Sequence, residues 1–480
     1  MTCVKKIFFT FIFPFSVINA ANANQHCPQE FDSIDCLKLL NSQYPLNYNK
    51  LLEEETLSNT KVIQYELKSQ KYPLNNSSSE AEWTHIVSIY IPKGVVKTNN
   101  PILYVDSGNE KKNNEVNFEN IAINTASIVI KLAQVPNQPL SFSNAENLSE
   151  DQLVAYTWKL YLDNPNENKT TPLHLPMAMS IIRTLDLFQK EFTGTDYRID
   201  KFIVSGASKR GWAAWLATIA DQRIAAIIPI VIDIYNINAQ FSKLNKVYAN
   251  HWPVALYPYY KNDLYKFIDT ENFKTLMQIT DPLAYKNTTK KNQLNIPKYI
   301  VSASGDDFFL PDSIFDIYKE IPGINYFRYI PNSSHFVSTN IIENSIAIFA
   351  NNYNSNLLNP TLNYTIHEVK KSSKVHITIP LNSNIKSISL WEATNKIERD
   401  FRYVCGIKYS EKKFTVSMNE KFKKFTITSP KHGWKAAFIE VTYQDGFVQS
   451  TPNVILPKEK FPTKIEANKS NFCNVLPLKK

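Results

Sequence analysis

Short apolar stretches alternate with helical patterns between residues 83 and 350, and this alternation limits the fold more than any other feature of the sequence. The apolar stretches are 83–92, 101–106, 201–204, 224–232, 299–303 and 325–330. Apolar residues recur at helical spacing in 153–162, 177–192 and 340–350. Strands that alternate with helices predict a mainly parallel sheet with helices on its faces.

The pattern changes after residue 351. Short stretches of alternating polar and apolar residues follow at 375–379, 388–391, 414–418, 425–428 and 436–443, and helical periodicity is almost lost. Such a series is typical of a β-sandwich. We place the boundary near 351–362, where asparagines and Pro360 interrupt both patterns. The sequence thus predicts an α/β domain over 24–355, and a β-sandwich domain with a tail over 356–480.

The N-terminus has the features of a signal peptide. Lys5 and Lys6 precede the apolar run 7–18, which ends at Ala21-Asn22-Ala23. A basic start, a short apolar run and an Ala-x-Ala site predict cleavage after residue 23 and a secreted or periplasmic protein. No later stretch offers about 20 consecutive apolar residues, so we expect no integral membrane segment after its removal.

Four cysteines remain beyond the signal peptide: Cys27, Cys36, Cys405 and Cys473. An even number in an exported chain predicts two disulfides. Of the three possible pairings we favour Cys27 with Cys36 and Cys405 with Cys473, because each pair lies at one end of the chain.

The formal net charge of +9 is modest for 480 residues. The lysines are scattered and often near acids, as in 411–424. This distribution favours solvated faces over a nucleic-acid groove, so we expect no nucleic-acid partner.

Glycine is rare, with 10 residues in the chain, and its positions indicate a site. Gly108 follows the strand 101–106, Gly206 and Gly211 lie on either side of Ser208, and Gly305 ends the strand 299–303. The carboxyl ends of parallel strands are where open α/β sheets place their sites.

Gly206-Ala207-Ser208 lies between a short strand and a helix, which is the setting of the nucleophile in the α/β-hydrolase fold. Small neighbours relieve the sharp turn that exposes the serine hydroxyl. The Gly-x-Ser-x-Gly pattern is incomplete, because Arg210 takes its last position and the glycine is displaced to 211. Acidic and histidine candidates follow in the order serine, aspartate, histidine, which is the order of this fold.

A serine hydroxyl needs a base to remove its proton and an acid to orient that base. For the acid we prefer Asp306, because Gly305 marks the turn before it, and we keep Asp307 and Asp233 as alternatives. For the base we choose His335, in the last loop of the α/β domain. His251 is the competitor, but it lies in an insertion and better suits substrate contact.

The oxyanion formed in acyl transfer needs backbone N–H donors. We predict them at Lys209 and in the loop after the strand 101–106, at Gly108 and Asn109. Lys209 and Arg210 could also attract an anionic substrate group.

The insertion 235–295 is rich in aromatic residues and is a lid, a substrate wall or a packed cap. In it we predict His251 and Trp252 as substrate contacts.

Metal and cofactor motifs are absent from the sequence. It contains no His-Glu-x-x-His motif, no Cys-x-x-Cys pair and no glycine-rich phosphate loop. We expect no metal and no cofactor.

Several stretches resemble the PhoPQ-activated pathogenicity-related protein family, which includes the autocrine proliferation repressor proteins. They are Gln134-Val-Pro-Asn-Gln-Pro139, Glu150-Asp-Gln-Leu-Val-Ala-Tyr-Thr-Trp158, Val204-Ser-Gly-Ala-Ser-Lys-Arg-Gly-Trp212, Pro229-Ile-Val-Ile-Asp233, Asp281-Pro-Leu-Ala-Tyr285, Gly305-Asp-Asp-Phe-Phe-Leu-Pro-Asp312, Leu390-Trp-Glu-Ala-Thr-Asn395 and Arg399-Asp-Phe-Arg402. The resemblance spans residues 100–450. It implies an exported α/β-hydrolase-like protein, distantly similar to dipeptidyl peptidases, with a serine, aspartate and histidine triad.

Two functions follow as hypotheses. The first is a serine hydrolase that cleaves a small-molecule ester or a peptide through an acyl-enzyme on Ser208. The second is a secreted signalling or binding protein on a hydrolase scaffold, in which the triad has become structural. The presence of serine, acid and histidine in the expected order favours the enzyme.

Overall fold

The computed structural model describes residues 32–72, 81–107, 116–315, 317–369, 374–416, 420–465 and 472–477. Three sequence predictions fall outside these ranges: the signal peptide, the disulfide partner Cys27, and the loop positions Gly108 and Asn109. Within the described ranges, no helix is both long and apolar enough to cross a membrane.

The first part of the chain, up to residue 354, contains the strands of the main sheet and the helices on its faces. These strands are β1 (Asn47–Glu55), β2 (Thr60–Tyr72), β3 (Ala81–Pro92), β4 (Ile102–Val105), β5 (Val129–Leu132), β6 (Leu140–Phe142), β7 (Ala145–Leu148), β8 (Phe202–Ala207), β9 (Ile224–Ile230), β10 (Trp252–Pro253), β11 (Lys298–Ala303) and β12 (Asn325–Ile330). The helices are α1 (Ser33–Ser42), α2 (Phe118–Thr125), α3 (Glu150–Asp163), α4 (His174–Phe192), α5 (Lys209–Ala220), α6 (Ile237–Val247), α7 (Tyr257–Lys261), α8 (Glu271–Thr280) and α9 (Thr339–Asn354).

The main sheet has nine strands in the order β1-β2-β3-β5-β4-β8-β9-β11-β12. The neighbouring strands β5, β4, β8, β9, β11 and β12 run parallel to one another. Strands β1, β2 and β3 extend one edge of the sheet and are antiparallel to their neighbours. The expected mainly parallel sheet of the α/β-hydrolase fold is confirmed.

Successive residues of β8 belong to different cores, because side chains alternate between the two faces of a strand. Phe202 and Val204 pack in the core that contains α4 and α5, whereas Ile203 packs in the core that contains α2 and α9. Both faces of the strand are therefore covered. This explains why β8 begins with three consecutive apolar residues, 202–204, instead of a polar and apolar alternation.

The C-terminal part forms antiparallel sheets, as expected for a β-sandwich. Its strands are β13 (Thr365–Val369), β14 (Lys374–Pro380), β15 (Ile385–Asn395), β16 (Ser410–Phe414), β17 (Phe422–Thr428), β18 (Trp434–Tyr443), β19 (Val448–Ser450), β20 (Val454–Leu456) and β21 (Val475–Leu476). One sheet has the order β13-β14-β17, and the other has the order β16-β15-β18-β19 with β20 on β18. The strand expected at 414–418 instead ends at Phe414, and part of that stretch lies outside the described residues.

The β domain packs against the carboxyl edge of the main sheet. Tyr403 N–H donates to the Gly305 carbonyl oxygen at 2.9 Å, and a Cβ atom on Gly305 would lie 2.6 Å from the Tyr403 nitrogen. The predicted Cys405–Cys473 disulfide is present and ties the C-terminal segment to the same region. Only glycine fits at position 305, because the second domain approaches its backbone so closely.

Candidate active site

Ser208 occupies a sharp turn between β8 and α5, with φ of 56° and ψ of −131°. A φ in this range is unfavourable for a residue with a side chain and is found at functional turns. A Cβ atom on Gly211 would lie 2.7 Å from the Gly206 carbonyl oxygen and 2.8 Å from the Ile232 side chain. The displaced glycine of the sequence pattern is therefore required by close packing of the first helical turn against β8.

Ser208, His335 and Asp306 form a continuous hydrogen-bonded chain. His335 Nε2 lies 2.8 Å from Ser208 Oγ, and His335 Nδ1 lies 2.9 Å from Asp306 Oδ2. Because a carboxylate only accepts, Nδ1 carries the proton and Nε2 is left as the acceptor that faces the serine. Asp306 follows β11 and His335 follows β12, so two neighbouring strands deliver acid and base to the same edge of the sheet.

The two alternative acids have other partners. Asp233 accepts from Ser302 Oγ at 2.7 Å and from Ser313 Oγ at 3.1 Å, and burial raises its pKa to about 7. Asp307 Oδ2 accepts from the backbone N–H of His335 at 3.4 Å, not from the ring. Asp306 is therefore the carboxylate that contacts the imidazole.

His335 is buried among groups that affect its protonation. Burial alone lowers the pKa of an imidazole, but the charge and hydrogen bond of Asp306 outweigh this effect and raise the pKa of His335 above its usual value. The Phe308 ring lies 4.6 Å from the imidazole and covers one side of it. The ring is thus held between a carboxylate and an aromatic face.

The backbone donors near the serine are partly occupied. Ser208 N–H donates to the Ile230 carbonyl oxygen at 2.8 Å, and Ser107 N–H donates to Asp106 at 2.7 Å. Lys209 is the first residue of α5, where an N–H has no carbonyl partner within the helix. This position of the Lys209 backbone N–H is consistent with its predicted role as a donor to the oxyanion.

Arg210 and Lys209 point to two acidic residues at the start of α3. The Arg210 guanidinium donates to both oxygens of Glu150 at 2.7 and 2.8 Å, and Lys209 Nζ lies 2.9 Å from Glu150 and 3.2 Å from Asp151. Burial raises the pKa of Glu150, but the bonds and charges of both cations outweigh burial and lower it well below its usual range. Both cations are buried in ion pairs and also line the cleft, so their contact with an anionic substrate group stays a prediction.

A cleft of about 440 Å³ opens above the triad. Its lining includes Ser208, His335, Arg210 and Phe308, but neither His251 nor Trp252. Both of these residues pack outside the cleft.

His251 Nδ1 contacts the Leu476 carbonyl oxygen at 2.9 Å, and Trp252 Nε1–H donates to Asn245 at 3.1 Å. Trp252 lies in β10, which pairs with β21. The structure thus assigns the predicted substrate contacts His251 and Trp252 to packing against the C-terminal segment, a partner more than 200 residues away in the chain.

Glu150, Asp151 and Phe308 line the cleft, and none of them was predicted as a site residue. Acids at the first turn of a helix ordinarily complement its dipole, so nothing local marked the Glu150 pairing with Arg210. The available signal was the family resemblance, because the stretches 150–158 and 305–312 contain these three residues.

The parallel sheet, the strained serine turn and the order of the three residues define the α/β-hydrolase class. Within that class the chain belongs to the PhoPQ-activated pathogenicity-related protein family, whose sequence profile matches residues 38–402. The chain is also similar to Autocrine proliferation repressor protein A of Dictyostelium discoideum, with 30% identity over 427 residues that cover 83% of each protein.

Solved structures with a similar fold include two esterases. Acetyl xylan esterase 1 from Thermoanaerobacterium sp. JW/SL YS485 has 11% identity and a TM-score of 0.45, and the match covers 67% of this chain and 94% of the esterase. Acetyl xylan esterase from Paenibacillus sp. R4 has 15% identity and a TM-score of 0.46, over 66% of this chain and 92% of the esterase.

Proposed function

We propose that this protein is a serine hydrolase that cleaves an ester or peptide bond through an acyl-enzyme on Ser208. The observation that supports it is the hydrogen-bonded chain from Ser208 through His335 to Asp306. If the triad had only a structural role, there would be no reason for its serine to lie on a strained turn that faces a cleft.

The reaction follows from these contacts. Ser208 Oγ attacks the substrate carbonyl carbon, and its proton passes to His335 Nε2, 2.8 Å away. Asp306 stabilises the imidazolium that forms. The tetrahedral intermediate then collapses, and the leaving group departs with the proton from His335. Water, activated by the same imidazole, hydrolyses the acyl-serine ester and regenerates Ser208.

The developing oxyanion needs donors that face the serine. We assign one of them to the backbone N–H of Lys209, and the second to the loop at Gly108 and Asn109. In this proposal Arg210 is a positioning residue. Its ion pair with Glu150 fixes the start of α3 beside the first turn of α5.

We further propose that the protein is exported by the signal peptide at residues 1–23 and acts as two domains, 24–355 and 356–480. An extracellular or periplasmic location suits the disulfide Cys405–Cys473. The substrate is a small ester or a peptide, since the cleft is a concave site of about 440 Å³.

Labelling by a fluorophosphonate probe tests the nucleophile without knowledge of the substrate. We expect the wild-type protein to be labelled and Ser208→Ala to lose all labelling while its circular dichroism stays unchanged. Ser242→Ala is the control, because Ser242 is an exposed serine of α6 that does not line this cleft, and it should keep its labelling. Persistent labelling of Ser208→Ala would disprove the nucleophile assignment.

A second candidate function is signalling or ligand binding on the hydrolase scaffold. The observation that favours it is the name of the relative, an autocrine proliferation repressor protein. A correctly folded wild-type protein that resists the probe at every pH would support this function over catalysis.

A further inference from the structure

A second, apolar cavity of about 80 Å³ lies beside the catalytic cleft. Its walls come from α3, α5, the insertion and the segment after Asp306. The aromatic and leucine side chains that line it include Trp158, Trp212, Leu244, Leu256, Phe308 and Phe309.

Two contacts connect this cavity with the triad. Phe308 lines both the cavity and the cleft, and its ring lies against His335 at 4.6 Å. Trp212 N–H donates to the Ser208 carbonyl oxygen at 3.0 Å, so its side chain lies one helical turn from the nucleophile. Phe308 is therefore a wall that the cavity shares with the cleft that contains Ser208.

Polar atoms of several lining residues are directed to protein partners. Trp212 Nε1–H donates to the Thr280 carbonyl oxygen at 2.6 Å, and the Tyr259 hydroxyl donates to Asp151 at 3.0 Å. The Lys243 ammonium forms a salt bridge of 2.9 Å with Asp312. These residues present mainly their apolar surfaces to the cavity.

We propose that this cavity binds the apolar part of the substrate's acyl group, a short aliphatic chain of about three or four carbons. The inference rests on the proposed acyl-enzyme, because the acyl group is the part of the substrate that stays attached to Ser208. The cavity has roughly half the volume of a 150 Å³ engineered cavity that admits benzene, so a ring is too large. The chain is the alkyl part of a simple ester or the side chain of an aminoacyl residue.

The test compares p-nitrophenyl acetate, butanoate, hexanoate and octanoate, which share one leaving group. Each buried methylene contributes a factor of about four, so butanoate should exceed acetate in kcat/KM by roughly 15-fold, and octanoate should fall again. Leucine p-nitroanilide presents the same aliphatic group as an aminoacyl substrate. A preference for it over glycine p-nitroanilide, which has the same leaving group, would place the chain on an aminoacyl residue and support the same cavity.

Substitutions at Leu244 can make the cavity either smaller or larger. Leu244→Phe should lower kcat/KM for butanoate by about tenfold and leave acetate within about twofold. Leu244→Ala should move the optimum to hexanoate. Leu264→Ala is the control, because Leu264 is buried in the same insertion outside this cavity, and it should keep the wild-type chain-length profile.

Failure of this inference is distinguishable from failure of the proposed function. A protein that is labelled at Ser208 but shows the same chain-length profile in both Leu244 variants would overturn the cavity assignment alone. The cavity assignment would also be overturned if kcat/KM of the Leu244 variants changed with the alcohol part of the ester and not with the acyl part. Absence of labelling and of all turnover would overturn the acyl-enzyme itself.

Discussion

At the scale of single residues, the candidate site depends on how firmly Asp306 is held. Its Oδ1 accepts the backbone N–H groups of Phe308 at 2.8 Å and Phe309 at 3.2 Å, while Oδ2 faces His335 Nδ1. These bonds fix the carboxylate beside the imidazole. The imidazole is thereby kept in the tautomer whose Nε2 can accept a proton from Ser208.

The rate of labelling should depend on pH through His335. The base acts only when neutral, and Asp306 raises the pKa of His335 above its usual value of 6.5. Labelling should therefore fall as pH decreases, with its half-maximal rate above pH 6.5. A pH series of probe labelling measures this directly.

Asp306→Asn is the variant that checks this explanation. Without the carboxylate charge, burial alone acts on the imidazole, so the half-maximal pH should move lower and the maximal rate should drop by roughly 10³–10⁴. Asp307→Asn should have a much smaller effect, because Asp307 contacts the backbone of His335 and not its ring. An equal loss in both variants would mean that Asp306 is not the orienting acid.

At the scale of elements, the first turn of α5 must lie close to the end of β8. Gly211 makes this approach possible, since a Cβ atom there would collide with the Gly206 carbonyl oxygen and the Ile232 side chain. We expect Gly211→Ala to lower the free energy of unfolding by about 1–3 kcal/mol and to slow probe labelling, because the strain falls on the serine turn. Urea unfolding gives the stability.

Gly94→Ala is the matched control for this prediction. A Cβ atom on Gly94 has no neighbouring atom within 4 Å, so stability and labelling should both stay at the wild-type level. If Gly211→Ala behaved in the same way, the close approach of helix and strand would not be what requires glycine.

At the scale of the whole molecule, Asp312 connects three parts of the chain. Its carboxylate bonds Arg399 of the β domain at 2.6 Å and Lys243 of α6 at 2.9 Å. Burial raises the pKa of Asp312, but the two cations outweigh it and lower the pKa well below its usual range. This pairing holds the insertion and the second domain on the edge of the sheet that carries the triad.

Asp312→Asn should destabilise the protein by about 3–5 kcal/mol, because it leaves Arg399 buried without its carboxylate. Arg399→Met should be milder, since Lys243 still pairs with Asp312. Thermal unfolding of both variants measures the difference. Asp196→Asn, at an exposed ion pair, should leave the melting temperature unchanged. A larger loss in Arg399→Met than in Asp312→Asn would contradict this account.

The sequence by itself determined the features that depend on local periodicity and chain order. The short apolar stretch 201–204 predicted the strand β8, which precedes the serine turn. The alternating residues of β14 and β18 predicted antiparallel sheets. The order Ser208, Asp306, His335 selected the candidate triad, because each residue follows a strand and the carboxyl ends of parallel strands share one edge.

Only the tertiary structure decided which distant groups meet. Asp306 contacts the imidazole and Asp233 does not, because the turn after β11 directs Asp306 while two serines bind Asp233. Arg210 meets Glu150 across 60 residues of chain, and Trp252 packs near the C-terminal segment. Local patterns do not encode such pairings, because they depend on the directions in which loops return and on contacts between elements far apart in the chain.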